Sequence, residues 1–356
     1  DECTTTASLL VLRIATDVIT LFCLVFVAIP SFVLKFAIRR IVSWKDPAVP
    51  PDGVYRSVLI TGASVGIGAG LARKYAKKGT QLVLTAYTPP SLDSIKKECQ
   101  GLGATVVAKY IDVKDKESMR ELILETNKRC PLDLVIANAG VVPMKDGFSE
   151  SHWVFDTNLN GLLNTVIPAV ECFRENKRGQ LVLLSSLGSY APATNFYMLP
   201  YVATKTAIRS YGEGLRMCVA AENIGVTVVC PGFVESRMTA KQNKYGIGFV
   251  NLWSNEKACT VICSGISRNV PEVSFPWFLY ILSRLSGNVP TFVRESIGYF
   301  FAQGDPFAKM QEKIANEDIA HGLNEDSFVE GSDNSSRAML AFGCLVSLLV
   351  AYIFIT

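Results

Sequence analysis

The sequence predicts an α/β protein with a doubly wound, parallel sheet of seven strands. Short β-rich runs alternate with amphipathic, helix-like stretches from Ser57 to about Pro276, which is typical of parallel βαβ units. The runs are nearly all apolar, as strands covered by helices on both faces should be. They are SVLIT, QLVLTA, TVVAKYID, LDLVIA, QLVLLSS, VTVVCPG and EVSFP. Such a sheet binds its ligand at the carboxyl ends of the strands, where the strand order reverses.

A glycine-rich turn, TGASVGIG, joins the first of these strands to a helical stretch. Gly62 can take backbone angles that are closed to other residues, and Gly66 lets the chain approach a pyrophosphate. Gly68 lets the helix and the strand pack closely, while the helix N-terminus attracts an anion. Because the turn lies between the first strand and the first helix, it predicts a Rossmann-type dinucleotide site that includes Ser64 and Ile67.

Tyr201 and Lys205 are the candidate catalytic pair. Residues four apart on a helix share one face, so the two side chains can point at the same site. Tyrosine normally titrates near pH 10, and a neighbouring ammonium favours the phenolate. We therefore expect Tyr201 to exchange a proton with a carbonyl or alcohol oxygen near neutral pH.

The order and spacing of the motifs resemble the short-chain dehydrogenase/reductase family from Tyr55 to Met238. The motifs that carry this resemblance are TGASVGIG, Asp112-Val113, Ala137-Asn138-Ala139-Gly140, Asn158, Ser185-Ser186, Tyr201-Val202-Ala203-Thr204-Lys205 and Pro231-Gly232. The resemblance implies an oxidoreductase that transfers a hydride between a nicotinamide and a carbonyl or alcohol.

The resemblance also implies a role for each catalytic residue. Lys205 would bind the ribose hydroxyls of the nicotinamide, and Asn158 would hold a water that relays protons towards Lys205. Ser186 would hydrogen-bond the substrate oxygen. It lies 15 residues before Tyr201, which is farther than is usual in the family, so Ser189 is the alternative.

Further residues would line the cofactor by the same resemblance. Asp112 with Val113 would contact adenine, although a capping role for Asp112 is an alternative because a helix follows. The residues expected at the adenosine ribose are Asn138, Ala139 and Gly140. Those expected beside the nicotinamide are Pro231, Gly232, Val234 and Ser236.

The choice of cofactor depends on the end of the second strand. A carboxylate there would bind the ribose of NAD, and a basic residue would accept the 2′-phosphate of NADP. The chain has Ala86-Tyr87-Thr88 at this point, which offers neither group. Because no carboxylate repels the phosphate, NADP(H) is favoured over NAD(H), with Tyr87 in the place of the expected arginine.

Two uncharged stretches predict transmembrane helices at the ends of the chain. One has 17 residues between Asp17 and Lys35, and the other covers residues 338–356. A signal peptide and a buried terminal helix are the respective alternatives. The expected organisation is an anchor over 1–45 with its span at about 14–38, a catalytic domain over 55–305, a linker over 306–337 and the terminal helix.

The charges around the first stretch predict the orientation in the membrane. Basic residues follow it and acidic residues precede it, which places the catalytic domain on the cytoplasmic or matrix side. The endoplasmic reticulum is favoured over the mitochondrial inner membrane.

With a net charge of +3 and no basic run interleaved with aromatics, nucleic acid is not an expected partner. The chain has ten cysteines and two histidines but no Cys-x-x-Cys pair, so we expect reduced thiols and no metal.

The two predicted membrane anchors suggest a hydrophobic carbonyl or alcohol substrate, such as a lipid, steroid or retinoid, reached from the lipid bilayer. A long segment after the sixth strand would cover it, with Phe249, Leu252 and Trp253 available. The aromatic-rich segment 276–301 could be a core helix, a dimer surface or a helix in the membrane interface. A homodimer or a membrane-complex partner is possible. The alternative function is a cofactor-binding accessory subunit of a large membrane complex with little turnover.

Overall fold

The computed structural model describes most of the chain between residues 48 and 290. The described ranges are 48–50, 52–87, 89–143, 147–193, 198–236, 238–239 and 252–290, with Thr16, Phe22 and Phe26 besides. The chain divides into two compact units, Asp1–Asp46 with Val289–Ile297, and Pro47–Asn288 with Gly298–Thr356. All the strands and helices below belong to the second unit.

A seven-stranded parallel sheet forms the centre of this unit, as predicted. The strands lie in the order β3-β2-β1-β4-β5-β6-β7. They are β1 Ser57–Thr61, β2 Gln81–Ala86, β3 Thr105–Tyr110, β4 Leu134–Ala137, β5 Gly179–Leu184, β6 Ile224–Pro231 and β7 Glu272–Phe275. The order reverses between β1 and β4, so the predicted ligand crevice lies at the carboxyl ends of these two strands.

Helices cover both faces of the sheet. The α-helices are α1 Gly66–Tyr75, α2 Pro89–Gly101, α3 Lys116–Arg129, α4 Ser151–Phe155, α5 Gly161–Asn176, α6 Leu199–Cys218, α7 Asn255–Ile266 and α8 Trp277–Gly287. A π turn, Asp156–Asn160, joins α4 to α5, and a 3-10 turn, Leu187–Tyr190, follows β5. The described helices and strands thus follow the alternation that the sequence predicts.

The alternation of side chains along the strands divides the core into two layers. In β1, Val58 and Ile60 belong to one buried cluster, and Leu59 belongs to the cluster on the opposite face. All three are fully buried. Because both faces are apolar, burial on each side stabilises the sheet, at roughly 25 cal/mol per Å² of apolar surface.

Within the described ranges, no helix is both long and apolar enough to cross a membrane. The predicted span at 14–38 lies almost wholly outside those ranges, and the predicted linker 306–337 and terminal helix 338–356 lie entirely outside them. The part of the aromatic-rich segment that is described forms α8, and no residue of α8 is buried. A core helix is therefore the wrong interpretation for Trp277–Gly287.

Candidate active site

A cavity of about 440 Å³ lies at the carboxyl ends of the strands. It brings together most of the residues that the sequence singles out. Those that line it are Gly62, Ser64, Gly66, Ile67, Tyr87, Asp112, Val113, Asn138, Ala139, Gly140, Ser186, Tyr201, Lys205, Pro231, Gly232, Val234 and Ser236. Gly68 and Asn158 do not line the cavity, but each contacts a residue that does, Gly62 and Val141 respectively.

The glycine turn after β1 depends on close approach of backbone to backbone. Gly62 and Gly66 have φ values of +64° and +57°, which favour glycine. A Cβ on Gly62 would lie 2.8 Å from the Cα of Ala139, and a Cβ on Gly68 would collide with the carbonyl oxygen of Gly62. The turn leads directly into the N-terminus of α1, where backbone N–H groups attract anions. This cradle fits the pyrophosphate of a dinucleotide.

The side chain of Asn138 holds the turn in place. Its Nδ2 donates to the carbonyl oxygens of Thr61 at 2.9 Å and Gly62 at 3.0 Å. The Oγ1 of Thr61 in return accepts from the backbone N–H groups of Asn138 and Ala139, both at 3.1 Å. Asn138 thus lines the cavity as predicted, but its amide hydrogens are taken up by backbone carbonyl oxygens. These hydrogen bonds fix the end of β1 to the end of β4, where the strand order reverses.

Asp112 and Lys114 form a charged pair that lines the cavity after β3, next to the end of β2. The Oδ2 of Asp112 lies 3.4 Å from the Nζ of Lys114, and Asp112 does not cap α3. The cap is Asp115, whose side chain accepts from the N–H of Ser118 at 3.1 Å. The capping alternative for Asp112 is thus wrong. Tyr87, at the end of β2, is 74% exposed, so its ring is open to a ligand.

Tyr201 and Lys205 lie in α6 and face the same part of the cavity. The Nζ of Lys205 lies 5.7 Å from the centre of the Tyr201 ring and donates to the carbonyl oxygen of Leu184 at 2.8 Å. Burial lowers the pKa of Lys205 from 10.5 to about 8. Lys205 is therefore mostly, but not completely, protonated at neutral pH.

The hydroxyl of Tyr201 does not have the lowered pKa that the sequence suggested. Burial raises the pKa of Tyr201, and a hydrogen bond with the Ser186 side chain acts in the opposite direction without cancelling the effect. The expectation that the neighbouring Lys205 ammonium would lower the pKa of Tyr201 is wrong, because the effect of burial is larger. A neutral phenol is well suited to donate a proton.

The structure distinguishes Ser186 from its alternative, Ser189. Ser186 lines the cavity beside Tyr201, and its Oγ accepts from the N–H of Gly188 at 3.2 Å. Ser189 is 2% exposed and does not line the cavity. The 3-10 turn directly after Ser186 takes up the extra residues between this serine and Tyr201.

Asn158 is fully buried in the π turn and connects three segments of the site. Its Oδ1 accepts from the N–H of Val141 at 2.7 Å. Its Nδ2 donates to the carbonyl oxygen of Val141 and to the Oγ1 of Thr204, which in turn donates to the carbonyl oxygen of Tyr201. Because the amide hydrogens of Asn158 have protein acceptors, its side chain positions the loop after β4 and helix α6 relative to each other.

Residues after β6 close the remaining side of the cavity. Ser236 lies against the glycine turn, since a Cβ on Gly66 would be 3.4 Å from the Cβ of Ser236. The N–H of Ser236 donates to the Oγ1 of Thr239 at 2.9 Å, and the N–H of Thr239 donates back to the Oγ of Ser236 at 3.2 Å. Trp253, expected in the substrate cover, instead stacks on Phe275 with ring centres 5.0 Å apart. Phe249 lies outside the described residues.

Several lining residues were not found from the sequence. Thr157 and Trp153 are four apart on the way to Asn158, so their common helix face is a signal that could have been used. Lys114 directly follows the Asp112-Val113 motif. Met238 and Thr239 carry no such signal, because only the return of the chain after β6 brings them to the cavity.

The fold and this cavity define a nucleotide-binding α/β protein, and comparison with known proteins defines its family. The family of short chain dehydrogenases matches residues 56–245. The chain therefore belongs to the short-chain dehydrogenase/reductase family. It is an oxidoreductase that acts on hydroxyl or carbonyl groups, and its family binds NAD or NADP.

Individual relatives cover about two thirds of the chain. An uncharacterized oxidoreductase of Myxococcus xanthus is 33% identical over 241 residues, which is 66% of this chain and 93% of the relative. An 11-beta-hydroxysteroid dehydrogenase A of Sesamum indicum is 34% identical over 230 residues, which is 62% of this chain and 63% of the relative. A short chain dehydrogenase from Mycobacterium paratuberculosis, solved bound to NAD, has a TM-score of 0.54 at 21% identity over 62% of this chain and 95% of that one, a likeness of fold alone.

Proposed function

We propose that the protein interconverts a hydrophobic ketone and its alcohol with NADP(H), using Tyr201 as the general acid and base. The observation that carries this proposal is the convergence of Tyr201, Ser186 and Lys205 on one cavity that also contains the glycine turn. A nicotinamide bound there supplies or accepts the hydride. The chain's own residues then have to handle a proton and a charge on the substrate oxygen.

Each of these residues has a distinct task in the reduction. Tyr201 donates its proton to the carbonyl oxygen as negative charge develops, and Ser186 donates a hydrogen bond to the same oxygen. Lys205 in its protonated form stabilises the phenolate that Tyr201 leaves behind. Asn158, through Thr204, fixes the turn of α6 that carries Tyr201. In the oxidation the phenolate takes up the proton of the alcohol.

A Tyr201→Phe variant tests this assignment. We expect turnover to fall by about 10²–10⁴-fold, because the general acid is lost, while the dissociation constant of NADPH stays nearly unchanged. Tyr211→Phe, on the same helix, is the matched control and should keep full activity. Turnover that survives in Tyr201→Phe would refute the assignment. A stable membrane assembly whose activity ignores the substitution would favour the accessory subunit.

The preference for NADP rests on the charges beside Tyr87. No carboxylate is present among the lining residues that end β2, which are Thr85, Ala86 and Tyr87. The carboxylate of Asp112 is paired with Lys114, and Lys114 itself lines the cavity. A 2′-phosphate would therefore meet a cation, although one that is shared with Asp112. Fluorescence titration with NADPH and NADH measures the preference directly.

The hydrophobic substrate is supported by the site and by relatives. Apolar residues such as Val141, Leu184 and Met238 are among those that line the cavity. The relative from Sesamum indicum is named for a steroid substrate, which is consistent with a lipid-like ketone. Turnover of steroids, retinoids and long-chain keto-lipids should exceed that of small polar ketones. A preference for the polar ketones would contradict this part of the proposal.

We place the protein on a membrane, with the catalytic domain on the cytoplasmic or matrix side. The support is the pair of uncharged stretches, residues 18–34 and 338–356, and the basic residues that follow the first one. Extraction of membranes at alkaline pH tests the attachment. Release of the full chain into the soluble fraction would contradict it.

A further inference from the structure

Helix α8 presents an apolar stripe to its surroundings. Trp277, Phe278, Ile281 and Leu285 are exposed by 73%, 38%, 47% and 51% of their surfaces. The spacing of Trp277, Ile281 and Leu285 by four residues places them on one side of the helix, with Phe278 next to them. We call these four residues the α8 stripe.

The opposite side of α8 packs on the catalytic domain. Leu279 and Tyr280 pack against the small cluster of Leu187, Tyr190, Val228 and Cys230. Arg284 is the single charged residue of this helix. It is exposed and, seven residues after Trp277, borders the striped side, with its guanidinium over the rings of Tyr190 at 5.1 Å and Tyr280 at 5.8 Å. One cation therefore lies at the edge of the stripe, as at a lipid headgroup layer, and the four stripe residues themselves contain no ionisable side chain.

Both ends of α8 are fastened to segments that form the cavity. Just before the helix, the carbonyl oxygen of Phe275 accepts from the N–H of Gly232 at 2.7 Å. At its last residue, a Cβ on Gly287 would collide with the carbonyl oxygen of Tyr190, in the turn that follows Ser186. Helix α8 therefore lies next to the segments after β5 and β6, which carry the cavity-lining residues Ser186 and Gly232.

We propose that the α8 stripe lies in the interfacial layer of a lipid bilayer, so that a lipid-borne substrate approaches the cavity from the membrane. The proposal rests on the membrane attachment under Proposed function. At 11 residues, or about 16 Å, the helix is too short to span a bilayer, so it would lie in the membrane plane. Tryptophan and phenylalanine prefer this layer, where an apolar ring can remain close to water.

The size and charge of the stripe favour a bilayer over a second copy of the chain. The four side chains expose on the order of 400 Å², about half of the roughly 800 Å² per partner that a stable protein interface buries. The chain also supplies its own route to a membrane through the uncharged stretches at 18–34 and 338–356. These stretches would keep the stripe close to lipid.

Quenching of tryptophan fluorescence by brominated lipids tests the contact. The full chain is reconstituted into phosphatidylcholine vesicles with bromines either near the headgroups or near the acyl-chain ends, and wild type is compared with Trp277→Phe. We expect the shallow bromines to quench more of the emission in wild type than in Trp277→Phe, by about a quarter of the wild-type emission, because Trp277 is one of four tryptophans. Equal quenching in both proteins would overturn the proposal.

A variant with charged residues in the α8 stripe tests whether the stripe helps a lipid-borne substrate to reach the cavity. Ile281→Glu with Leu285→Glu should lower turnover of a ketone dissolved in the vesicle by about tenfold or more and leave turnover of a water-soluble ketone unchanged. Leu102→Glu, also an exposed apolar position at 54%, is the matched control and should change neither. Equal loss on both substrates would overturn the proposal.

Two further outcomes identify what has failed. If the variant with a charged stripe changes from dimer to monomer in detergent while quenching is equal in wild type and Trp277→Phe, the stripe binds a second copy and the proposal is wrong. If the wild type does not float with the vesicles, the membrane attachment itself fails, and the proposal fails with it. Turnover of the water-soluble ketone would still show whether the catalytic assignment holds.

Discussion

The two ends of the cavity are built in different ways. At the cofactor end, glycines bring backbone against backbone, and the Asn138 amide locks the turn after β1 to the residue after β4. At the catalytic end, side chains from the segment after β5 and from α6 meet, and burial changes the pKa of Tyr201 and of Lys205. The first end depends on shape and on uncharged N–H groups, while the second depends on protonation.

Because the two ends are built differently, substitutions at each end should change different properties, cofactor binding at one and turnover at the other. Changes at the glycine turn should weaken cofactor binding, with little dependence on pH, because no titrating side chain takes part. Substitutions of Tyr201 or Ser186 at the catalytic end should alter turnover and its pH dependence and leave cofactor binding in place.

The largest effect is expected for Gly68→Ala. The added Cβ would collide with the carbonyl oxygen of Gly62 and lie 2.6 Å from the Nδ2 of Asn138, so the turn must open. We expect the free energy of unfolding to fall by about 3 kcal/mol and cofactor binding to become undetectable. Gly214→Ala is the control, because its Cβ meets nothing within 4 Å, and it should stabilise α6 slightly. Calorimetry measures the stability of both variants, and titration with NADPH measures their cofactor binding. Normal NADPH binding in Gly68→Ala would show that the glycine turn does not hold the cofactor.

Ser186→Ala sharpens the comparison at the catalytic end. Removal of a hydroxyl that donates to the developing oxyanion should lower kcat by about 10²-fold and leave the dissociation constant of NADPH within a factor of two. Ser189→Ala should keep kcat within a factor of about three, because Ser189 does not line the cavity. The reverse ranking of the two variants in steady-state kinetics would assign the role to Ser189.

Lys205→Met should separate stability from activity. The folded pKa of about 8 is below the ordinary value of 10.5, so the buried ammonium costs stability fully below pH 8, and the cost disappears as the pH rises towards 10.5. We expect the variant to lose activity and to gain about 3 kcal/mol of unfolding free energy at pH 7, since the difference between 10.5 and about 8 corresponds to that energy at about 1.36 kcal/mol per pKa unit. Urea unfolding at pH 7 and pH 10 measures this. A gain that does not shrink at pH 10 would contradict the lowered pKa.

Tyr87→Asp is expected to have the smallest effect and concerns only the choice of cofactor. A carboxylate at this exposed position would repel a 2′-phosphate and could accept hydrogen bonds from ribose hydroxyls. The ratio of the dissociation constants for NADPH and NADH should rise about tenfold. Tyr87→Asn keeps the size without the charge and should leave the ratio almost unchanged. An equal shift in both variants would mean that the ring, and not the charge, decides the preference.

Much of the cofactor end was accessible from the sequence, because its chemistry is local. The glycine spacing in TGASVGIG and its place between a strand and a helix suffice to predict the turn. For the catalytic end, the sequence predicted which residues meet but not their pKa values. The pKa of Tyr201 depends on burial by segments far apart in the chain, and no spacing of residues reports that burial.

The sequence by itself determined the parallel sheet, the glycine turn and the shared face of Tyr201 and Lys205, because each follows from a short-range period or from the conformational freedom of glycine. Only the tertiary structure decided that Ser186 rather than Ser189 meets the cavity, that Asp115 rather than Asp112 caps α3, and that α8 exposes its apolar side. These outcomes depend on which distant segments pack together, and packing sums many long-range contacts that no local pattern contains.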